Sequence, residues 1–305
     1  MFGKSAIWVA IGKTVRGASH DKVNLPNQDA LRVRSESPWM LVLADGHGSP
    51  RCFRSDLGAN FAVDVARGEI EGSGHAVIER AQNKGAAYKP SGELEELTEW
   101  FVDELPRNIV NAWHRKVDEN IATRPFSEEE KKALGLIGDG IERQRLAYGT
   151  TLLLVVATER FVFYLQLGDG DILVFDATGN VRRPLVKDER LIANETTSLC
   201  MEKAWCEVRT SIQNIEKESP ALILVSTDGC INSFVEEDGF YKVGRDILEL
   251  MREDGPDYIE ENLQSWLKEI SKEGSGDDIS LGLLYRREGL DKTELNERPP
   301  PSEAP

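Results

Sequence analysis

"LVLADGHGSP" (41–50) runs four aliphatic residues into an acid, a glycine and a histidine: Asp45, Gly46 and His47. A strand that ends in Asp-Gly ordinarily leaves through a hairpin turn, because both residues tolerate left-handed backbone angles. The other reading is that the acid stands at the end of a buried strand because something binds there. What the remaining strand ends carry decides between the two.

Outward from this stretch, "SAIWVAIGKTV" (5–15), "QDALRVRSE" (28–36) and "WMLVLA" (39–44) read as extended segments. "SDLGANFAVDVAR" (55–67) has helical spacing, with Ser55 as its N-cap. The "GSGH" near residue 72 and "NKGAAYKPSG" (83–92) read as loops. Residues 93–122 read as helix, with Pro106 marking a kink or a fresh start, and 124–147 as an irregular crossing. The middle of the chain changes character. "TLLLVVA" (151–157), "FVFYLQL" (161–167), "DILVFD" (171–176) and "NVRRPLV" (180–186) are joined by the short turns "TER", "GDG" and "ATG", which predicts an antiparallel meander. A polar connection (187–206) leads to strands at 206–212 and 221–227, helices at 244–253 and 256–274, and a closing strand at 279–285. Helices in two groups with antiparallel strands between them predict an α+β fold. Two packed, mainly antiparallel β-sheets are flanked by helices on both outer faces, a four-layer α/β-β/α sandwich. Residues 1–286 are expected to form one domain, and the polar, Pro-rich 287–305 a disordered tail.

The formal net charge of −16 argues against nucleic-acid and anionic-membrane partners, which attract basic patches. "AIWVAI" is too short for a signal or membrane segment. Cys52, Cys200, Cys206 and Cys230 form no CxxC pair, so a reduced, cytoplasmic setting is expected.

Asp45 is one of a set. Asp169 follows "FYLQLG", Asp228 ends "LILVSTD", Asp277 precedes "ISLGLL", and Asp29 opens an early strand; Asp45, Asp169 and Asp228 are each followed by glycine. Ends of strands that share sheets can converge, and carboxylates crowded together need a cation. Oxygen ligands without a cysteine or histidine cluster suit Mg²⁺ or Mn²⁺. Glycine after the acid lets the backbone approach, so the Gly46 carbonyl is a further ligand candidate. Other metal readings fail: "DGDGD" lacks the later ligands of a calcium loop, and His20, His47, His75 and His114 show no zinc-type spacing.

These pieces together resemble the type 2C, metal-dependent serine/threonine protein phosphatases, in a divergent bacterial-type branch. The segments that carry the resemblance arrive in family order: "RGASH" (16–20), "NQDA" (27–30), "LADGHGSPRCFRSDLGA" (43–59), "YGTTLL" (148–153), "LGDGD" (167–171), "NETTSL" (194–199), "VSTDGC" (225–230) and "GDDIS" (276–280). The resemblance implies Mn²⁺ or Mg²⁺, two ions and possibly a third. Asp45 would bridge two ions with the Gly46 carbonyl on one, Asp228 and Asp277 would complete the other, and Asp169 with Asp228 would hold the third. It further implies hydrolysis of phosphoserine or phosphothreonine on proteins by a water held between the ions, with Asp29 orienting that water and His47 protonating the leaving oxygen. A phosphoprotein made by a cognate Ser/Thr kinase is the implied partner. Two positions depart from the pattern. Gln28 stands where the family has Glu, as a weak metal or water ligand, and the phosphate-binding arginine is displaced. Arg16 and His20 are the substrate-binding candidates, with Arg51 and Arg54 behind them. The alternatives are a silent phosphatase-like interaction module, which Gln28 favours, and a phosphatase of a small phosphorylated metabolite.

Overall fold

The computed structural model describes residues 8–83, 97–135, 141–187, 196–215 and 219–287. The loop read at 83–92, much of the 187–206 connection and the tail beyond 287 lie largely or wholly outside the described residues. In chain order the strands are β1 (Trp8–Val15), β2 (Asp29–Arg34), β3 (Trp39–Asp45), β4 (Leu152–Ala157), β5 (Phe161–Leu167), β6 (Asp171–Phe175), β7 (Val181–Arg182), β8 (Arg209–Asn214), β9 (Leu222–Ser226) and β10 (Ile279–Arg286). They form two five-stranded sheets, β2-β3-β4-β5-β8 and β1-β10-β9-β6-β7. Every paired neighbour is antiparallel.

Side chains alternate across a strand, and β3 uses both faces. Trp39, Leu41 and Leu43 enter the core between the sheets, while Met40, Val42 and Ala44 face a helical layer. With both faces buried there is no polar alternation, which is why the segment reads as an unbroken apolar run. The helices are α1 (Ala18–Val23), α2 (Ser55–Glu71), α3 (Ser73–Asn83), α4 (Leu105–Thr123), α5 (Glu128–Leu134), α6 (Ile141–Arg145), α7 (Asp228–Ile231), α8 (Glu237–Glu253) and α9 (Pro256–Glu273). Ala59, Ala62, Val63 and Ala66 of α2 and Ile109, Val110, Trp113 and Val117 of α4 cover the outer face of the β3 sheet. Phe240, Ile247 and Leu248 of α8 and Ile259, Leu263 and Leu267 of α9 cover the other. The four-layer α+β sandwich is the observed fold.

Several local expectations are corrected. The meander breaks at Gly168-Asp169-Gly170: β4 and β5 form a hairpin, but β6 pairs with β9 and β7 in the opposite sheet. The "GDG" is therefore a passage between sheets. Gly168 takes φ +100°, and a Cβ there would stand 2.5 Å from Thr151 Cγ2, so the passage needs a residue without a side chain. Near residue 72 there is no linker, since α2 and α3 are separated by Gly72 alone. The crossing at 124–147 contains α5, which opens on a reciprocal capping box between Ser127 and Glu130. Pro106 lies in the first turn of α4, which continues from a π-helical turn at Glu99–Glu104. The strand read at 180–186 shortens to Val181–Arg182, and α8 begins at Glu237 rather than 244.

Candidate active site

Antiparallel pairing brings the acids together. β2 runs against β3, so Asp29 at the start of one is the register partner of Asp45 at the end of the other. β10 runs against β9, so Asp277 and Asp278 just ahead of β10 lie beside Asp228 just after β9. The passage between sheets opens at the same end and adds Asp169. The result is a cleft of about 830 Å³ whose lining includes Asp45, Asp169, Asp228, Asp277, Asp278 and Gly46. His20, Gln28, His47 and Arg51 line it as well.

Electrostatics shows how crowded this end is. Burial, then the charges of Asp29 and Asp228, push the Asp45 carboxyl well above the usual range. Asp45 and Asp228 lie within hydrogen-bonding reach of each other. Burial also raises Asp228, helped by Asp169 and Asp277. Asp29 is raised by burial and then by Asp278 and Asp228, against the lowering effect of the Thr227 hydroxyl, which donates to its Oδ2 at 2.8 Å. Its Oδ1 is buried with no hydrogen-bond partner. Carboxylates in contact and an unpartnered buried oxygen both call for a proton or a cation. The donor set is almost entirely oxygen, which fits Mg²⁺ or Mn²⁺.

A supporting layer fixes the strand end. The Asp45 N–H donates to Thr151 Oγ1 at 3.0 Å, and its carbonyl accepts from the Thr151 N–H and the Thr150 hydroxyl. The His47 N–H donates to the Gly149 carbonyl at 3.0 Å, and a Cβ on Gly149 would come 2.7 Å from the imidazole. The "GTT" segment thus braces the Asp45–His47 turn, with Gly149 packed closely against the site. Gly46 is wedged so closely that a Cβ would meet the Gln28 and Ser55 carbonyl oxygens at 2.7 Å. The Gln28 side-chain amide donates to Ser55 Oγ at 2.7 Å, leaving its carbonyl oxygen as the atom available to the cleft. Burial lowers the His47 pKa, and Asp169 opposes that shift.

Asp278, which sequence reasoning passed over for Asp277, is a hub. It is 4% exposed, and its Oδ1 and Oδ2 accept the Gly17 and Gln28 backbone N–H groups at 2.6 Å each. The basic candidates separate. Arg16 is engaged with Asp21 at 3.0 Å and donates to the His20 carbonyl, and it does not line the cleft. Arg54 is buried, bound to Glu130, the Arg124 carbonyl and Tyr148, and serves the α2–α5 packing. Arg51 is the one Arg or Lys lining the cleft among the described residues, exposed and with no partner for its guanidinium among them.

Comparison with known proteins follows the geometry. Among curated proteins none matches the chain. Among solved structures it is similar to PppA, a key regulatory component of T6SS in Pseudomonas aeruginosa, at 16% identity and TM-score 0.55, covering 92% of this chain and 97% of that one. The catalytic domain of serine threonine protein phosphatase PstP in complex with two manganese ions gives 14% identity and TM-score 0.52, covering 91% and 97%. Serine/threonine phosphatase Stp1 from Staphylococcus aureus gives 14% and 0.53, covering 93% and 99%. At these identities the structures establish a shared fold. The sequence profile described as Protein phosphatase 2C matches residues 16–268, most of the chain and all of the acids except those of the 276–280 turn. The chain belongs to the protein phosphatase 2C family.

Proposed function

We propose that the chain hydrolyses phosphate monoesters, specifically phosphoserine and phosphothreonine on proteins, with Mn²⁺ or Mg²⁺ held by Asp45, Asp228 and Asp277, and a looser ion by Asp169 with Asp228. The observation that carries this reading is the meeting of carboxylates from both sheets in one cleft, with an Asp29 oxygen buried and unpartnered beside them. Bound there, the ions would supply Lewis acidity to activate water and neutralise charge on the phosphoryl oxygens.

The chain's own groups do the rest. Asp45 and the Gly46 carbonyl hold the cation side of the site, with Gln28 contributing a neutral oxygen in place of a third full charge. Asp29, buried behind the cleft with its Oδ1 unpartnered, would orient the attacking water through that oxygen. His47 would donate a proton to the leaving oxygen from its charged form, which burial opposes and Asp169 favours. Arg51 takes the phosphate contact for which Arg16 is not free. Cys52 lines the same cleft, but burial pushes its thiol up to about 11, so it is protonated at neutral pH and does not serve as nucleophile. The reading therefore has water, not this thiol, as the attacking group, without a phosphoenzyme. No helix among the described residues is long and apolar enough to cross a membrane. The reading fits a phosphatase that opposes a Ser/Thr kinase in the cytoplasm.

The test uses purified protein with p-nitrophenyl phosphate and a phosphoserine peptide. Turnover should need Mn²⁺ or Mg²⁺, vanish with EDTA and collapse in Asp45→Ala and Asp228→Ala. A wild-type protein that binds Mn²⁺ yet turns over neither compound refutes it.

A further inference from the structure

The acids account for an oxygen cage, but the cleft also holds an imidazole they do not explain. His20 sits on α1, and α1 is pinned to the turn that carries Asp277. Ser19 N–H donates to the Gly276 carbonyl at 2.8 Å, Ala18 N–H to Ser271 Oγ at 3.1 Å, and Gly17 N–H to Asp278. Gly17 packs so tightly here that a Cβ would stand 2.4 Å from the Asp277 carbonyl carbon. The His20 side chain is 15% exposed. Its Nδ1 is buried 3.0 Å from Asp278 Oδ1 without an aligned hydrogen bond, and its Nε2 lies 3.8 Å from Asp277 Oδ1 on the cleft side. Donor atoms of His20, Asp277 and Asp278 all fall within 4.8 Å of one another.

The three residues are not equivalent. Asp278 is buried and takes a backbone N–H on each oxygen, whereas Asp277 is exposed and takes one, on Oδ1, so Asp277 is the better ligand and Asp278 the brace. A small turn of the ring would align Nδ1 with Asp278 Oδ1, the arrangement of the carboxylate behind a metal-ligating histidine, and leave the other nitrogen for the ion. Two donors bound to one ion at about 2.1 Å can stand at most about 4.2 Å apart, so a single cation fits between His20 Nε2 and Asp277 Oδ1.

We propose that His20 is a nitrogen ligand to the divalent cation held by Asp277, oriented by Asp278, and that it biases this site toward Mn²⁺ over Mg²⁺. Imidazole suits transition ions, whereas an all-oxygen cage suits Mg²⁺ equally well. This moves His20 from substrate contact to metal selection, and it rests on the reading that the acid cluster binds a divalent cation at all.

The experiment uses Mn²⁺ alone. Pulsed electron paramagnetic resonance of the Mn²⁺-loaded full chain should show ¹⁴N coupling, which converts to ¹⁵N when histidine is ¹⁵N-labelled and disappears in His20→Gln. Calorimetry should show His20→Gln weakening one Mn²⁺ site by about 10–100-fold, with Mg²⁺ affinity changed less than about threefold. Labelled His47→Gln protein, in which His20 is the one histidine left in the cleft lining among the described residues, answers the question even if the His20 variant folds poorly. Bound Mn²⁺ without nitrogen coupling, coupling that survives in His20→Gln, or equal losses for both ions would overturn the proposal. In that case Mn²⁺-dependent hydrolysis still stands as evidence for the phosphatase reading. A wild-type chain that takes up no Mn²⁺ sinks both.

Discussion

Asp45 shows most directly what the site does to a single side chain. Burial and the neighbouring Asp29 and Asp228 raise its pKa, which means the ionised carboxylate is held in the metal-free fold at a cost. Removing that charge should therefore stabilise the protein while abolishing its use. In EDTA at pH 7, Asp45→Asn is expected to melt at a higher temperature than wild type; with Mn²⁺ present the order reverses, because only wild type gains stability from binding. Thermal unfolding with and without Mn²⁺ checks both halves, and a variant less stable in EDTA would count against charge crowding. His47 makes a second case. If it protonates the leaving oxygen, its value depends on how badly that oxygen needs a proton. A serine alkoxide needs one and p-nitrophenolate does not. His47→Gln should thus lower kcat by about 10²–10⁴-fold on a phosphoserine peptide, and by far less on p-nitrophenyl phosphate. Equal losses on both would assign His47 to binding instead.

Elements explain which parts of this design a linear reading can reach. Asp45, Asp228 and Asp277 stand out in the sequence only as a set: one Asp-Gly at a strand end is an ordinary turn, whereas several acids at the ends of buried strands are not. Asp278, Thr227 and Ser55 do not stand out, because each acts through a contact with a segment distant in sequence that only antiparallel register brings close. His20 reads from the sequence as a substrate contact, but histidine spacing cannot tie it to Asp277 and Asp278, which lie at the other end of the chain. The meander failed at "GDG" because a short glycine-flanked link between two strands looks alike whether the chain turns back or crosses to another sheet. The Ser127–Glu130 capping box was readable but lay in a stretch judged by its polarity. One element junction carries its own prediction. At the N-terminus of α8, Glu237 accepts from Lys187 at 2.6 Å, Tyr241 at 2.8 Å and Arg183 at 3.1 Å. These partners, Lys187 foremost, hold its carboxyl at about 2, against an ordinary 4.5. A depressed carboxylate contributes stability above its unfolded pKa and loses it as pH falls through the folded value. Glu237→Gln should accordingly be less stable than wild type at neutral pH, with the gap closing between about pH 4.5 and pH 2. At 43% exposure the gap itself should be about 1 kcal/mol or less. Urea unfolding across that range measures it, and a gap that widens in acid contradicts the assignment.

At the scale of the whole molecule, two sheets meeting at one end concentrate acids in a cleft, and the chain as a whole carries the same sign. The formal net charge is −16, and among the described residues Arg51 is the one Arg or Lys lining the cleft. In the proposed reading, bound divalent ions would offset the acids at the centre and let the phosphate in, while residues flanking the phosphoserine would meet the uncompensated field outside. A substrate segment with Lys or Arg on either side is drawn in, and one with Asp or Glu is held off, both by long-range attraction or repulsion that salt screens over about 8 Å at physiological ionic strength. With Mn²⁺ saturating, kcat/KM on phosphoserine peptides of equal length should rank basic above neutral above acidic flanks. The spread should narrow as NaCl is raised, the basic peptide slowing and the acidic one quickening. Because steering acts on encounter, the ranking belongs in kcat/KM and leaves kcat nearly level. Arg51→Ala separates this field from the local phosphate contact: it should weaken all the peptides alike and leave their order intact. A flat ranking at low salt, or an order that Arg51→Ala reverses, would place selectivity in short-range contacts and not in the charge of the molecule.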